Sequence, residues 1–265
     1  MLWEHTLNSD FERIAEEVNH TCLVPIGCLE SHGVHMPTGV DYLQAKSISK
    51  LAAELEPCMV FPAMFLGTSY ESMLHKGAVN LKPELMIQLY FNIFDEIARN
   101  GFTKIILYSA HGGNTPFLRF LIYSALNERK PYTLFYCTNV FMLTPEQKQQ
   151  IREESEGRSP LHGSEWETSL TMAVSDAVDL SRIPDETVRQ IPFPGGLDTD
   201  NLFTGVEWSA KTPNFYVGNP TKATAERGHR YIRMAAENLA GLIKNVKENT
   251  TAEQLTKEYY DKAGK

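Results

Sequence analysis

The stretch Pro25-Ile26-Gly27-Cys28-Leu29-Glu30-Ser31-His32-Gly33-Val34-His35-Met36-Pro37-Thr38-Gly39-Val40-Asp41 opens as the end of an apolar run, residues 22–28. It then places one carboxylate and two imidazoles within residues 30–35, and a second carboxylate, Asp41, where helical periodicity begins. A short, uninterrupted apolar run suits a strand buried on both faces, as in a parallel sheet. In extended chain Glu30 and His32 point the same way, about 7 Å apart along the strand. Groups that close can share one divalent ion or hold two neighbouring ones.

Working outward, residues 9–18 read as a short helix, with Ser9 and Glu12 in capping-box spacing. Downstream, residues 41–55 carry Leu43, Ile48, Leu51 and Leu55 at helical spacing, and residues 59–65 form a second strand candidate. Residues 67–83 lack a period and hold Tyr70, His75, Lys76 and Gly77. A loop of that length in a compact domain is more often functional than idle. Residues 84–99 form an amphipathic helix bounded by Pro83 and Asn100-Gly101. Residues 104–109 form a strand that runs into Ala110-His111-Gly112-Gly113-Asn114. Helix 116–127, strand 132–137, a polar helix 145–154 and helix 166–174 follow. Residues 176–215 are rich in Pro, Gly and Asp; a long helix is expected over 221–246, then a charged tail that frays or docks on a partner. This alternation predicts an α/β fold, a three-layer sandwich with a mainly parallel sheet flanked by helices, as a single domain over residues 1–265.

The bulk properties remove several classes. A net charge of −8 argues against nucleic-acid binding, which needs a basic footprint. Cys22, Cys28, Cys58 and Cys137 form no C-x-x-C pair and read as small buried hydrophobes in a reducing cytoplasm. Residues 1–20 are amphipathic and acidic, so no secretory leader is expected, and no apolar run approaches membrane-spanning length. P-loop and G-x-G-x-x-G signatures are lacking, which sets aside nucleotide-dependent chemistry.

In open parallel sheets the ligand crevice lies off the carboxyl ends of the strands. Glu30 and His32 come just past one such end and His111 past another. Singly, each has a structural alternative. Asp41 could be a first-turn acid with Thr38 as N-cap, His111 a polar turn residue, and Gly112-Gly113 turn chemistry alone. A third region, Leu161-His162-Gly163-Ser164-Glu165-Trp166-Glu167-Thr168-Ser169, crowds three ionisable groups beside a Trp. Ser164 and Glu167 there also have capping-box spacing.

Together the three regions resemble the creatininase family of metal-dependent amidohydrolases. The first is similar to that family's E-x-H-G-x-H-x-P…D. The second is similar to N-G-H-G-G-N, with Ser109-Ala110 in place of Asn-Gly. The third is similar to H-A-G-x-x-E-T-S, with Gly163-Ser164 in this chain. Weaker echoes lie at Lys76-Gly77-Ala78-Val79-Asn80-Leu81 and from Gly218-Asn219-Pro220 to Gly228. The resemblance implies two divalent ions per chain, zinc first, with manganese or iron as alternatives. Carried over by position, Glu30, His32, Asp41 and His111 are ligands, with Asp41 bridging. In creatinine-hydrolysing members a Tyr-Glu pair stands at Gly112-Gly113 and its Glu is a ligand. Here Glu167 is expected to complete the second site, and creatinine is doubtful as the substrate. Those members also carry tryptophans shortly before H-A-G, whereas residues 141–161 contain none.

The expected chemistry is hydrolysis of a C–N bond in a small amide or formamide, cyclic ones included. A divalent ion can lower the pKa of bound water and polarise the carbonyl together. On this reading a metal-bridging hydroxide attacks the carbonyl and His162 passes a proton to the leaving nitrogen, with Glu165 as fallback acid/base. Tyr70, His75, Trp166 and the loop 192–216 are expected to line a substrate pocket, and His35 and Asn114 to stand behind the ligands. The expected partner is a small-molecule substrate, with neither nucleic acid nor membrane. The resemblance implies a homo-oligomer, a hexamer among the possible sizes. Two rivals remain: a non-catalytic or regulatory metal-binding member of the fold, and a serine hydrolase using His111-Gly112-Gly113 as an oxyanion loop. The second needs a G-x-S-x-G elbow, which the chain lacks.

Overall fold

The structure, a computed structural model, describes residues 1–155, 160–183 and 188–265. Strands β1 (Thr21–Ile26), β2 (Met59–Val60), β3 (Lys104–Ser109) and β4 (Thr133–Cys137) form one parallel sheet in the order β2-β1-β3-β4. Every residue of β1 and β3 is buried, the pattern that continuous apolar runs dictate. Alternation within those runs sorts side chains between two cores. Leu23, Ile106 and Tyr108 face helices α2 (Val40–Leu55), α6 (Glu165–Met172) and α8 (Ala225–Glu248). Cys22, Val24, Ile26, Ile105 and Leu107 face α1 (Phe11–Glu17), α3 (Pro83–Arg99) and α4 (Asn114–Ala125). The predicted three-layer α/β sandwich is therefore present.

Three expectations change in detail. The second strand stops at Val60, since Pro62 has no N–H to give a ladder, and the chain rejoins β1 through the single bridge Ile26↔Met64. The first helix begins at Phe11, its N-cap is Asp10 without a side-chain cap, and no Ser9–Glu12 box forms. The charged tail does not fray. It forms α9 (Thr251–Ala263) on the β4 edge, where Tyr260 is buried and its hydroxyl donates to the Ala125 carbonyl at 3.0 Å. Between them, α5 (Pro145–Glu154) carries the one full capping box, Thr144 with Gln147, among the described helices.

Candidate metal centre

β1 and β3 are neighbours in register, Ile26 opposite Ser109, so the segments that leave their carboxyl ends start side by side. Beyond β1 the chain stays extended, and alternation turns Cys28, Glu30 and His32 the same way. Asp41 sits in the first turn of α2, and that turn lies directly against Gly27. A Cβ on Gly27 would stand 2.3 Å from the Tyr42 nitrogen. Glycine is required there because backbone meets backbone. Beyond β3, Asn114 accepts from the Thr68 N–H at 2.7 Å and donates to Ser109 Oγ at 3.1 Å, holding the turn that carries His111. Gly113 has its own reason: a Cβ there would meet His111 Nε2 at 2.4 Å.

The three segments converge on one buried cluster. His111 Nδ1 lies 3.2 Å from Glu30 Oε1 and 3.0 Å from Asp41 Oδ2. His32 Nε2 lies 3.2 Å from the other Asp41 oxygen, Oδ1, and 3.5 Å from Glu167 Oε2. Asp41 thus offers one oxygen to each of two donor sets, Glu30–Asp41–His111 and His32–Asp41–Glu167, each within 4.8 Å. All five residues expected as ligands come together. Cys28, read from sequence as a plain buried hydrophobe, joins the first set and donates its thiol to Asp41 Oδ2 at 3.1 Å. Its i, i+2 phase with Glu30 was the signal available in the sequence. Ser69 also donates to Glu30 Oε2, fixing that carboxylate from the side away from His111.

The remaining atoms test whether ions fit. Glu30 Oε1 and both ring nitrogens of His32 are buried without a hydrogen-bond partner among the described residues. Leaving such atoms bare costs about 1–3 kcal/mol each. Two divalent ions would satisfy Glu30 Oε1 and His32 Nε2, and a mixed imidazole and carboxylate set suits zinc, manganese or iron. Without ions the cluster must balance its charge with protons. Burial works against the imidazolium at His32, yet Asp41 and Glu167 carry it up to about 9. Burial likewise opposes charge at Asp41, but His32 and His111 hold its carboxyl well below the usual range. Burial pushes the Glu167 carboxyl up to about 7 despite the pull of His32. The imidazoles, in other words, take up the positive charge that this donor set calls for.

His162 stands at the edge of the cluster, its ring stacked on His32 with centroids 4.2 Å apart. Its Nε2 is 3.1 Å from the Ser31 carbonyl and its Nδ1 is 3.7 Å from Glu30 Oε1. Burial, then His32, pushes it down to about 4. A cavity of about 360 Å³ opens over the site, lined by Glu30, Asp41, His111, His162 and Glu167 together with Glu71, Ala110, Gly112, Gly113, Val140, Phe141 and Trp208.

Several expected site residues lie elsewhere. Trp166 is fully buried in the core, stacked on Tyr231 at 4.5 Å, and does not line the cavity. Tyr70 is exposed and donates to the Leu81 carbonyl, and His75 packs on Phe215 beside a separate pocket. Glu165 turns away from the cluster and accepts from Ser169, Arg227 and Tyr231, so it is not placed for proton transfer. His35 is buried, with Nε2 3.0 Å from Oγ1 of Thr168, the residue after Glu167. His111 faces Glu30 and Asp41, which leaves His111-Gly112-Gly113 part of this cluster and not an oxyanion loop. Within the loop 192–216 the residue that reaches the cavity is Trp208, in the short helix α7 (Glu207–Lys211). Glu71 and Trp208 carried no periodicity or motif by which the sequence could have picked them out.

Fold and site define an α/β protein whose sheet edge presents a paired-ion donor set bridged by one aspartate. The chain matches the family described as "Creatininase: Creatinine amidohydrolase" over residues 4–243. It is 29% identical over 242 residues to a creatinine amidohydrolase of Pseudomonas putida, covering 84% of this chain and 88% of that one. It is 22% identical over 252 residues to a 3-dehydro-scyllo-inosose hydrolase of Thermotoga maritima, covering 88% and 79%. A solved creatininase in a Zn-Zn form superimposes with a TM-score of 0.78 at 22% identity, covering 94% of this chain and 98% of that one. A manganese creatininase gives 0.76 at 22% identity, covering 94% and 99%. The chain belongs to the creatininase family of amidohydrolases.

Proposed function

We propose that this protein hydrolyses a C–N bond in a small amide or formamide with two divalent ions, zinc or manganese, held at the sheet edge. The observation that carries the reading is Asp41, whose two oxygens face two separate imidazole–carboxylate sets that leave buried donor atoms unsatisfied. Glu30, Asp41 and His111 would hold one ion, and His32, Asp41 and Glu167 the other. Bound there, the ions would supply an activated water and polarise the carbonyl, the two demands of amide hydrolysis.

The chain's own residues do the rest. With Nε2–H donating to the Ser31 carbonyl, His162 keeps the Nδ1 lone pair toward Glu30 and the cavity. A neutral imidazole in that pose can take a proton at Nδ1 and give it to the leaving nitrogen. Val140, Phe141 and Trp208 make the cavity wall apolar and limit water around the reacting group. Gly112 leaves that wall open, since a Cβ there would meet nothing within 4 Å. The two named relatives act on different molecules, so family membership alone does not select creatinine, and the room at Gly112 favours another substrate. The four free, buried thiols fit the reducing cytoplasm expected from sequence. Among the described residues no helix is long and apolar enough to cross a membrane. We propose a homo-oligomer of one domain per chain, which size-exclusion chromatography with light scattering would check.

Metal analysis of the purified protein, joined to an activity screen over cyclic amides and formamides with creatinine included, tests the reading. Two ions per chain and turnover on one substrate class are expected. Fewer than one ion per chain, with no gain on adding zinc or manganese, would refute the paired-ion site. Two bound ions without turnover would favour the regulatory alternative.

A further inference from the structure

We propose that Glu71 determines specificity, its carboxylate selecting substrates that carry a cationic, N–H-rich group such as an ammonium, amidine or guanidinium beside the scissile amide. The proposal rests on the paired-ion reading above and adds the substrate's chemistry to it. Four carboxylates line the cavity: Glu30, Asp41, Glu167 and Glu71. Three belong to the two bridged donor sets, and Glu71 belongs to no candidate ion group among the described residues. Half-buried in the wall, its carboxylate makes no ion pair and no side-chain hydrogen bond with another described residue. Its capacity to accept is therefore largely unused, in a place where burial and Glu30 both raise the energy of its charge.

The setting makes this acceptor a recognition element. Glu71 lies in the turn Tyr70–Leu74, and that turn is fixed at its start by Ser69. The Ser69 N–H donates to Asn80 Oδ1 at 2.8 Å, Asn80 Nδ2 donates back to the Ser69 carbonyl at 2.7 Å, and Ser69 Oγ donates to Glu30. The same serine thus anchors the turn and a proposed ion ligand, which sets Glu71 at a defined place relative to the reacting centre. α7, which carries Trp208, packs on this turn. Glu71 shares the cavity lining with Val140, Phe141 and Trp208, and a charged acceptor rewards N–H donors about twice as much as a neutral one. A purely neutral, N–H-poor amide would leave Glu71 desolvated and unpaired.

The test uses the full chain loaded with zinc and two probes, methylguanidinium and its neutral counterpart N-methylurea, with binding followed by calorimetry and zinc counted in every sample. Wild-type protein should bind methylguanidinium more tightly. Glu71→Gln keeps the shape and removes the charge, and should weaken methylguanidinium about tenfold or more while N-methylurea binding and zinc content stay the same. Equal binding of the two probes by the wild type, which needs no variant, would overturn the proposal. So would an unchanged preference in Glu71→Gln, or loss of zinc from it, which would make Glu71 a ligand. Zinc below one ion per chain in the wild type would instead bring down the paired-ion reading, and this inference with it.

Discussion

Gly27→Ala is a one-methyl change that alters no candidate ligand side chain, yet it should empty the centre. The added Cβ would stand 2.3 Å from the Tyr42 nitrogen, 2.4 Å from its Cα and 2.5 Å from the Asp41 carbonyl carbon. Ordinary contact begins near 3.4 Å, so the first turn of α2 must retreat by about 1.1 Å, the difference between 3.4 and 2.3. All three atoms are backbone, and no side-chain rotation can absorb the overlap. Asp41 rides on that turn and would draw away from His32 at 3.2 Å and His111 at 3.0 Å. Ion sites tolerate about 0.2 Å in ligand distance, so a shift about five times larger should break the bridge. Overpacking of this kind costs about 1–3 kcal/mol, which for a chain of this size lowers Tm by roughly 2–12 °C. Metal analysis and thermal unfolding, each with and without chelator, measure both effects. Gly112→Ala is the control, because its Cβ meets nothing and two ions should remain. A Gly27→Ala protein that keeps two ions at the wild-type Tm would refute the account of how α2 delivers Asp41.

Two further substitutions separate chemistry from packing. His162→Ala should keep both ions and lose about 10²–10⁴ in turnover, the usual contribution of a positioned proton carrier. Ion loss in that variant would instead make His162 a ligand in the Glu30–His32–His162 set. Trp166→Ala should cost about 3–5 kcal/mol of stability, read by denaturant unfolding, because the indole fills the core against Tyr231. A change in substrate KM without loss of stability would return Trp166 to the cavity wall.

The elements most legible in the sequence were those marked by a local signal. Residues 104–109 and 145–154 came out with the bounds the structure gives, since an apolar strand run and a Thr144–Gln147 cap are written locally. The donor residues were legible because each follows a strand end or opens a helix, and parallel topology sends strand ends to one edge. The short second strand and the docked α9 were less legible, for they depend on which neighbour lies beside them.

Glu165 and Glu167 show where local reading ends. Both are acids at the start of α6, two residues apart, and spacing alone cannot say which meets the ions. On a helix such residues point about 200° apart, so only one can face a given partner. Contact of α6 with α8 turns Glu165 toward Arg227 and Tyr231, and that leaves Glu167 aimed at His32. The stretch from Pro25 to Asp41 therefore determined by itself the end of the strand, the extended donor segment and the start of the helix that follows. The tertiary structure decided which acid completes the set, that Trp166 is core, and that Glu71 and Trp208 line the cavity. Those outcomes depend on the rotation of one element against another, which no single stretch of sequence encodes.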